Sequence, residues 1–97
     1  MDKSKEIVWS QKAEDDLMQI LEYWYNRNKS IVFPEKLTDE IFEAIQILKS
    51  HPNFGRKINQ AEFRRVLVRY YLIIYKPENE QIKIIRIIDG RQDNMDI

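Results

Sequence analysis

The chain has 97 residues, of which 43% are hydrophobic and 33% charged, so we expect one globular domain over residues 1–97 rather than a disordered chain. It has no cysteine and one histidine, which excludes disulfides, thiolate metal sites and clustered histidine ligands. No apolar run approaches the length of a membrane helix, and residues 1–6 lack an apolar signal region. We therefore expect a soluble, cytoplasmic protein with no cofactor, no metal and no membrane partner.

The net charge is zero, but the charge is unevenly distributed along the chain. Residues 1–50 carry seven Lys or Arg against ten Asp or Glu, whereas residues 51–97 carry nine against six. Between residues 56 and 76, one acid, Glu62, stands among six cations: Arg56, Lys57, Arg64, Arg65, Arg69 and Lys76. This bias predicts a polyanionic or acidic partner for the second half. The alternative is a basic sheet face that is merely solvated.

The first predicted elements are a strand and a helix. Residues 6–10 are β-branched and aromatic, which indicates a short strand. Ser10 then offers a hydroxyl to cap a helix that begins at residue 11 and fades within the polar residues 26–29. The acidic residues 14–16 are interpreted as a solvated helix start. An apolar stripe recurs at helical spacing: Ala13, Leu17, Ile20, Leu21 and Trp24.

A second helix is predicted up to His51, because the residue before Pro52 avoids the helical region. Its start is open: Ser30 could cap it with Pro34 in the first turn, or it could begin at Pro34 itself. The short connection predicts an antiparallel helical hairpin over about residues 11–50.

Three strands follow, over residues 63–68, 70–76 and 81–89, so that the sheet lies mainly within residues 63–89. The second and third are apolar on both faces, which is typical of central strands covered at least partly on both sides. The order β-α-α-β-β-β predicts a two-layer α+β domain, with the hairpin packed on one face of a small, mostly antiparallel sheet. Residues 90–97 form a short C-terminal tail.

Four segments, in this order, resemble one family. Residues 9–17 (WSQKAEDDL) resemble the W-S-x-x-A-x-x-D-L start of RelE/ParE-type toxins, and residues 52–56 (PNFGR) are similar to their P-x-x-G-R loop. Residues 64–75 (RRVLVRYYLIIY) resemble their R-R-x-x-V-x-x-Y-x-I-x-Y strand pair, and residues 85–93 their final strand and tail. The resemblance covers about residues 7–93, and the set of motifs is more specific than any single one.

The resemblance implies the toxin of a bacterial type II toxin–antitoxin system, a growth inhibitor of a superfamily associated with plasmid stabilisation. Its partner would be a cognate antitoxin, in a possible hetero-oligomer. ParE-like members act on DNA gyrase, whereas RelE-like members are mRNA interferases that cleave mRNA on the ribosome. The G-R loop and the double arginine resemble ParE more closely. The alternatives are a RelE-like nuclease and an inactive antitoxin-binding module.

If the protein is an enzyme, it is expected to be a metal-independent endoribonuclease. Such a site needs a base for the 2′-hydroxyl, cations for the phosphorane charge and an acid for the leaving oxygen. The candidate catalytic residues are Arg65, Arg69 and Arg91. The candidates for binding the target or the antitoxin are Arg56, Lys57, Arg64, Arg65, Tyr71 and Arg91.

Strand alternation predicts that Arg65 points to the open face of the sheet, while Arg64 lies at its edge. Arg91 follows Gly90 and is expected either to contact a phosphate or target, or to pair with Asp89 or Asp93. Two differences from RelE-like nucleases argue against mRNA cleavage by this chain. Leu72 occupies a position where those nucleases often carry arginine, and residues 89–97 contain no histidine or tyrosine.

Overall fold

The computed structural model describes residues 5–91. Two helices pack on one face of a five-stranded mixed sheet, which confirms the predicted α+β class. The elements are β1 (Glu6–Trp9), α1 (Gln11–Asn28), α2 (Val32–Ser50), β2 (Arg56–Lys57), β3 (Arg64–Val68), β4 (Tyr71–Pro77) and β5 (Gln81–Asp89). The strand order is β1-β5-β4-β3-β2; β1 pairs parallel with β5, and the other three pairs are antiparallel.

The start of helix α1 follows from local capping. The Ser10 hydroxyl accepts from the Ala13 N–H at 3.0 Å, as the sequence predicted, and also donates to the Ile85 carbonyl at 2.9 Å. This second bond joins the start of α1 to the sheet. Helix α2 begins at Val32, between the two predicted starts, with Pro34 in its first turn. The N-cap residue of α2, Ile31, makes no side-chain cap hydrogen bond, and the Ser30 hydroxyl before it accepts from the Val32 N–H at 3.1 Å.

The core lies between the helices and the sheet. Strand β4 is buried continuously from Tyr71 to Tyr75, which confirms its prediction as a central strand. Alternate residues of β3 and β4 face the helices, including Val68 and Ile73, whereas Leu67 points the other way and is 61% exposed. The buried cluster comprises Ala13, Leu37, Ile41, Ile45, Leu48, Val68, Tyr71, Ile73, Tyr75, Ile82, Ile84 and Ile87.

Two expectations about individual residues were wrong. Arg56 was placed in the P-x-x-G-R loop and no strand was predicted between it and residue 63, but Arg56 and Lys57 form β2 and pair with Arg65 and Arg64 at the edge of the sheet. Asp16 was interpreted as part of a solvated helix start, yet it is only 7% exposed. Strand β1 ends beside Ile84, so it does not pair with the next residues of β5. The Asp16 carboxylate binds β5 there instead, accepting from the Ile87 N–H at 2.9 Å and from Arg86 Nε at 2.7 Å.

Within residues 5–91, neither helix combines the length and the apolar character needed to cross a membrane.

Candidate functional site: a basic strand edge and the tail junction

Strand β2 and the facing half of β3 form a basic strand edge, which carries Arg56, Lys57, Arg64 and Arg65. Arg56 lies directly opposite Arg65, and Lys57 lies opposite Arg64. Directly opposed residues of antiparallel strands share a face, and like charges placed there destabilise the pair. None of the four cations forms an ion pair within residues 5–91. An anionic partner would therefore remove an unfavourable repulsion at this edge.

The basic strand edge opens onto a shallow cavity of about 460 Å³ on the sheet face away from the helices. Its lining residues are Arg56, Arg65, Leu67, Leu72 and Gly90. Arg65 shares this lining with the exposed Leu67, as strand alternation predicted. The cavity combines positive charge with apolar surface, which suits a segment that carries both carboxylates and aliphatic side chains.

Arg64 supports the loop that precedes the basic strand edge. Its guanidinium donates to the Gly55 carbonyl at 2.7 Å and to the Asn53 carbonyl at 3.3 Å. On the same loop, the Tyr75 hydroxyl donates to the Pro52 carbonyl and accepts from the Gly55 N–H, both at 2.8 Å. Burial raises the pKa of Tyr75, while the Gly55 hydrogen bond opposes that shift. Hydrogen bonds thus connect the two motifs of residues 52–56 and 64–75 to each other.

The tail junction consists of Tyr70, Asp89, Gly90 and Arg91, where β5 ends. The Gly90 N–H donates to the Tyr70 carbonyl at 2.6 Å. Arg91 donates to both Asp89 oxygens, at 3.0 and 2.7 Å, and its guanidinium lies 4.4 Å from the Tyr70 ring centroid. This ion pair holds the pKa of Asp89 below its ordinary value. Of the two expected salt bridges of Arg91, the one with Asp89 is therefore present. The other expected partner, Asp93, lies outside the described residues.

Tyr71 is held between the tail junction and α1. It is 4% exposed, and its hydroxyl accepts from Trp24 Nε1 at 2.7 Å. Burial raises its pKa, and the Trp24 hydrogen bond partly offsets the rise. Tyr71 lines a polar cleft of about 460 Å³ in which Arg86 and Arg91 are each paired with an aspartate.

Arg69 contacts helix α2, apart from the Arg65 cavity. It lies in the turn between β3 and β4 with φ 56°, a left-handed conformation that is strained for a side chain of this kind. Its guanidinium donates to both oxygens of Glu40, at 2.6 and 2.9 Å, and lies 5.3 Å from the Phe33 ring centroid. The three candidate catalytic arginines, Arg65, Arg69 and Arg91, therefore have three different surroundings.

The Arg69 contact predicts a specific pH dependence. Its hydrogen bonds hold the pKa of Glu40 below the ordinary value of 4.5, so the stabilisation is present above that pH and is lost as the pH falls through the folded-state pKa. Arg69→Gln is expected to return the pKa of Glu40 towards 4.5 in an NMR titration of its carboxyl carbon. Arg27→Gln, which changes an exposed arginine over Trp24, is the control. An unchanged Glu40 titration in Arg69→Gln would contradict the assignment.

The Asp16–Arg86 pair was not predicted from the sequence, although two signals for it were available. Asp16 lies three residues after Ala13 and four before Ile20, so it falls on the stripe that packs on the core. Arg86 interrupts the apolar run of residues 84–88, and a cation in such a run needs an anionic partner. Within the described part of the chain, no group of three or more metal-ligating side chains is present.

The sequence model of the family "ParE toxin of type II toxin-antitoxin system, parDE" matches residues 7–94. Among solved structures, the chain is similar to the "Chromosomal ParDE TA system from P. aeruginosa", with a TM-score of 0.75 and 20% identity, over 90% of this chain and 97% of that one. This likeness shows a shared fold. The search of curated proteins gave no match.

Proposed function

The chain belongs to the ParE toxin family of type II toxin–antitoxin systems, and we propose that it is a cytoplasmic growth inhibitor that acts on DNA gyrase and is neutralised by a cognate antitoxin. The observation that carries the binding part of this proposal is the basic strand edge. Arg56 and Arg65 oppose each other without an acidic partner within residues 5–91, beside an apolar cavity. Arg56, Lys57 and Arg65 are the residues we assign to antitoxin or target contact.

The antitoxin is proposed to place an acidic and apolar segment on this edge. Carboxylates would pair with Arg56 and Arg65, while aliphatic side chains would cover Leu67 and Leu72. Arg64 and Tyr71 would act indirectly, because their polar atoms already bond to the loop carbonyls and to Trp24. A toxin–antitoxin hetero-oligomer follows from this arrangement.

The choice of gyrase rests on family membership and on the residue types of the tail. Residues 89–97 contain no histidine or tyrosine to serve as a general acid. The cavity beside Arg65 is lined by arginine, leucine and glycine, which supply charge and apolar contact rather than proton transfer. If the protein were instead a RelE-like nuclease, Arg65, Arg69 and Arg91 would remain the candidates for stabilising the phosphorane charge.

Induction of the toxin in cells without antitoxin tests the choice of target. DNA damage signalling and bulk translation are followed separately from the first minutes. The proposal predicts early DNA damage while translation continues. Early translation arrest with cleaved mRNA would instead establish the nuclease, and unimpaired growth would indicate a module that only binds antitoxin.

Charge reversal on the basic strand edge tests the antitoxin contact. Arg65→Glu is expected to weaken the antitoxin complex more at low salt than at high salt. The reason is that the Debye screening length falls from about 10 Å at 0.1 M salt to about 3 Å at 1 M, which weakens the interaction between charges. The dissociation constant is measured by calorimetry across this range. Lys12→Glu, on the exposed face of α1, is the matched control. A loss that does not change with salt would contradict the electrostatic contact.

A further inference from the structure

A group of aromatic rings lies where the connection between α1 and α2 approaches the turn between β3 and β4. Trp24 is at its centre: its ring centroid lies 6.3 Å from that of Tyr70, with an interplanar angle of 24°, and 4.9 Å from that of Phe33. Tyr23 contacts the same indole with a centroid distance of 5.1 Å, and the Tyr71 hydroxyl accepts from its Nε1 at 2.7 Å. These five side chains form the aromatic end of the domain.

Three arginines border the aromatic end, and each places its guanidinium over one of the rings. The distance from guanidinium carbon to ring centroid is 4.4 Å for Arg91, 5.3 Å for Arg69 and 5.9 Å for Arg27. Arg69 and Arg91 use Nε and Nη2 to bind a carboxylate, and neither Nη1 has a hydrogen-bond partner within residues 5–91. Arg27 forms no ion pair in the same part of the chain. Each arginine therefore keeps N–H donors for a phosphate oxygen.

The outer rings of the aromatic end are open to solvent. Tyr23 is 52% exposed and Tyr70 is 39% exposed, whereas Tyr71 is 4% exposed. The polar cleft beside Tyr71 continues this surface, because Tyr23 and Arg91 also line it. Exposed rings stack on unpaired bases, each of which has a π-face whatever the sequence, and guanidinium planes stack on bases in the same way. The aromatic end thus carries both kinds of side chain that bind a single strand of nucleic acid.

The charges around the aromatic end are nearly balanced. Glu40 and Asp89 each pair with one of the three arginines, so only Arg27 is without an acidic partner among the described residues. A duplex carries more phosphates per length than a single strand, but its bases stack on one another and offer no free face along its length. Charge alone would therefore favour a duplex, whereas stacking on the exposed tyrosines favours an unpaired strand.

We propose that the aromatic end binds a short stretch of single-stranded DNA. One base stacks on Tyr23 and another on Tyr70, while Arg27 and Arg91 bind nearby phosphates. The choice of DNA rather than RNA rests on the proposed action on DNA gyrase, whereas the choice of an unpaired strand rests on the exposed rings. The aromatic end shares no residue with the basic strand edge, so the antitoxin contact proposed there is independent of it.

Fluorescence anisotropy with the full chain tests the proposal, with a labelled oligothymidine of about 12 nucleotides, within the usual range of site sizes, as the probe. An abasic DNA strand of the same length keeps the phosphates but has no bases, and the duplex of the probe with its complement has no unpaired bases. The oligothymidine is expected to bind at least tenfold tighter than either. Equal or tighter binding of the abasic strand or the duplex would overturn the proposal. An oligouridine RNA that binds tenfold tighter than the DNA would overturn the choice of DNA.

Two substitutions locate the bound strand. Tyr23→Leu removes a flat ring but keeps an apolar side chain, and Arg27→Gln removes the unpaired cation. Each is expected to weaken oligothymidine binding at least fivefold. The controls are Tyr25→Leu, at a ring of 48% exposure outside the aromatic end, and Lys12→Gln, at the exposed start of α1, and both should leave binding unchanged. Equal losses in Tyr23→Leu and Tyr25→Leu would contradict the assigned surface.

Gyrase inhibition by the same preparations is measured separately. A chain that inhibits gyrase without binding oligothymidine would overturn this inference and leave the proposed function in place. A chain that binds oligothymidine as expected but leaves gyrase unaffected would support the DNA site and remove gyrase as the target.

Discussion

Gly55→Ala is expected to lower the free energy of unfolding by about 3 kcal/mol, the upper end of what overpacking a core costs. A Cβ at this position would lie 2.6 Å from the Tyr75 hydroxyl and 2.7 Å from the Arg65 carbonyl. The carbonyl belongs to the backbone of β3 and cannot move without disturbing the β2–β3 pairing. Urea unfolding measures the change, and a midpoint equal to that of the parent chain would contradict the described packing.

Gly90→Ala is the matched control for this substitution. The nearest contacts of the added Cβ would be the Tyr70 carbonyl at 3.0 Å and the flexible Leu72 side chain at 3.3 Å, so a loss of about 1 kcal/mol in stability is expected.

Tyr75→Phe is expected to lower the free energy of unfolding by about 1–3 kcal/mol, because Gly55 and Pro52 lose their hydrogen-bond partner. Combining it with Gly55→Ala should cost less than the sum of the two, because the hydroxyl that clashes is absent.

Asp16→Ala is the second substitution with a large expected effect, a loss of about 2–4 kcal/mol. It leaves the buried Ile87 N–H and the Arg86 guanidinium without the acceptor that both share. The figure stays below that for a fully buried pair because the Arg86 side chain is 37% exposed. Thermal or urea unfolding gives the measurement.

Two further variants separate charge from hydrogen bonding at this position. Asp16→Asn keeps an oxygen for Ile87 and should cost about half as much as Asp16→Ala. Asp15→Ala, on the exposed neighbour, should change stability by less than about 0.5 kcal/mol. If Asp15→Ala and Asp16→Ala had equal effects, the buried role of Asp16 would be wrong.

Periodicity was sufficient to predict most of the fold. The stripe from Ala13 to Trp24 and the apolar runs of β4 and β5 each carry a repeated pattern, and the observed elements follow them closely. Strand β2 was not predicted, because two exposed cations, Arg56 and Lys57, are too few to show the alternation of apolar and polar residues that indicates a strand. Gly55, which precedes this strand, donates its N–H to the Tyr75 hydroxyl, a contact between residues 20 positions apart.

The candidate site was harder to predict than the fold. Alternation correctly placed Arg65 beside Leu67, because side-chain direction in a strand has a fixed period. The surroundings of Arg69 were not predicted, because arginine does not favour the left-handed φ that it adopts and because its partner Glu40 lies 29 positions away on α2.

Inhibition of purified DNA gyrase decides whether this chain acts on gyrase. Relaxed plasmid, ATP and gyrase are incubated with increasing amounts of the folded chain, and supercoiling and gyrase–DNA cleavage complexes are measured together. The heat-unfolded chain is the control, and addition of the antitoxin should restore supercoiling. We expect loss of supercoiling and accumulation of cleavage complexes. Unchanged gyrase activity at a large excess of toxin, with mRNA cut on ribosomes by the same preparation, would contradict it.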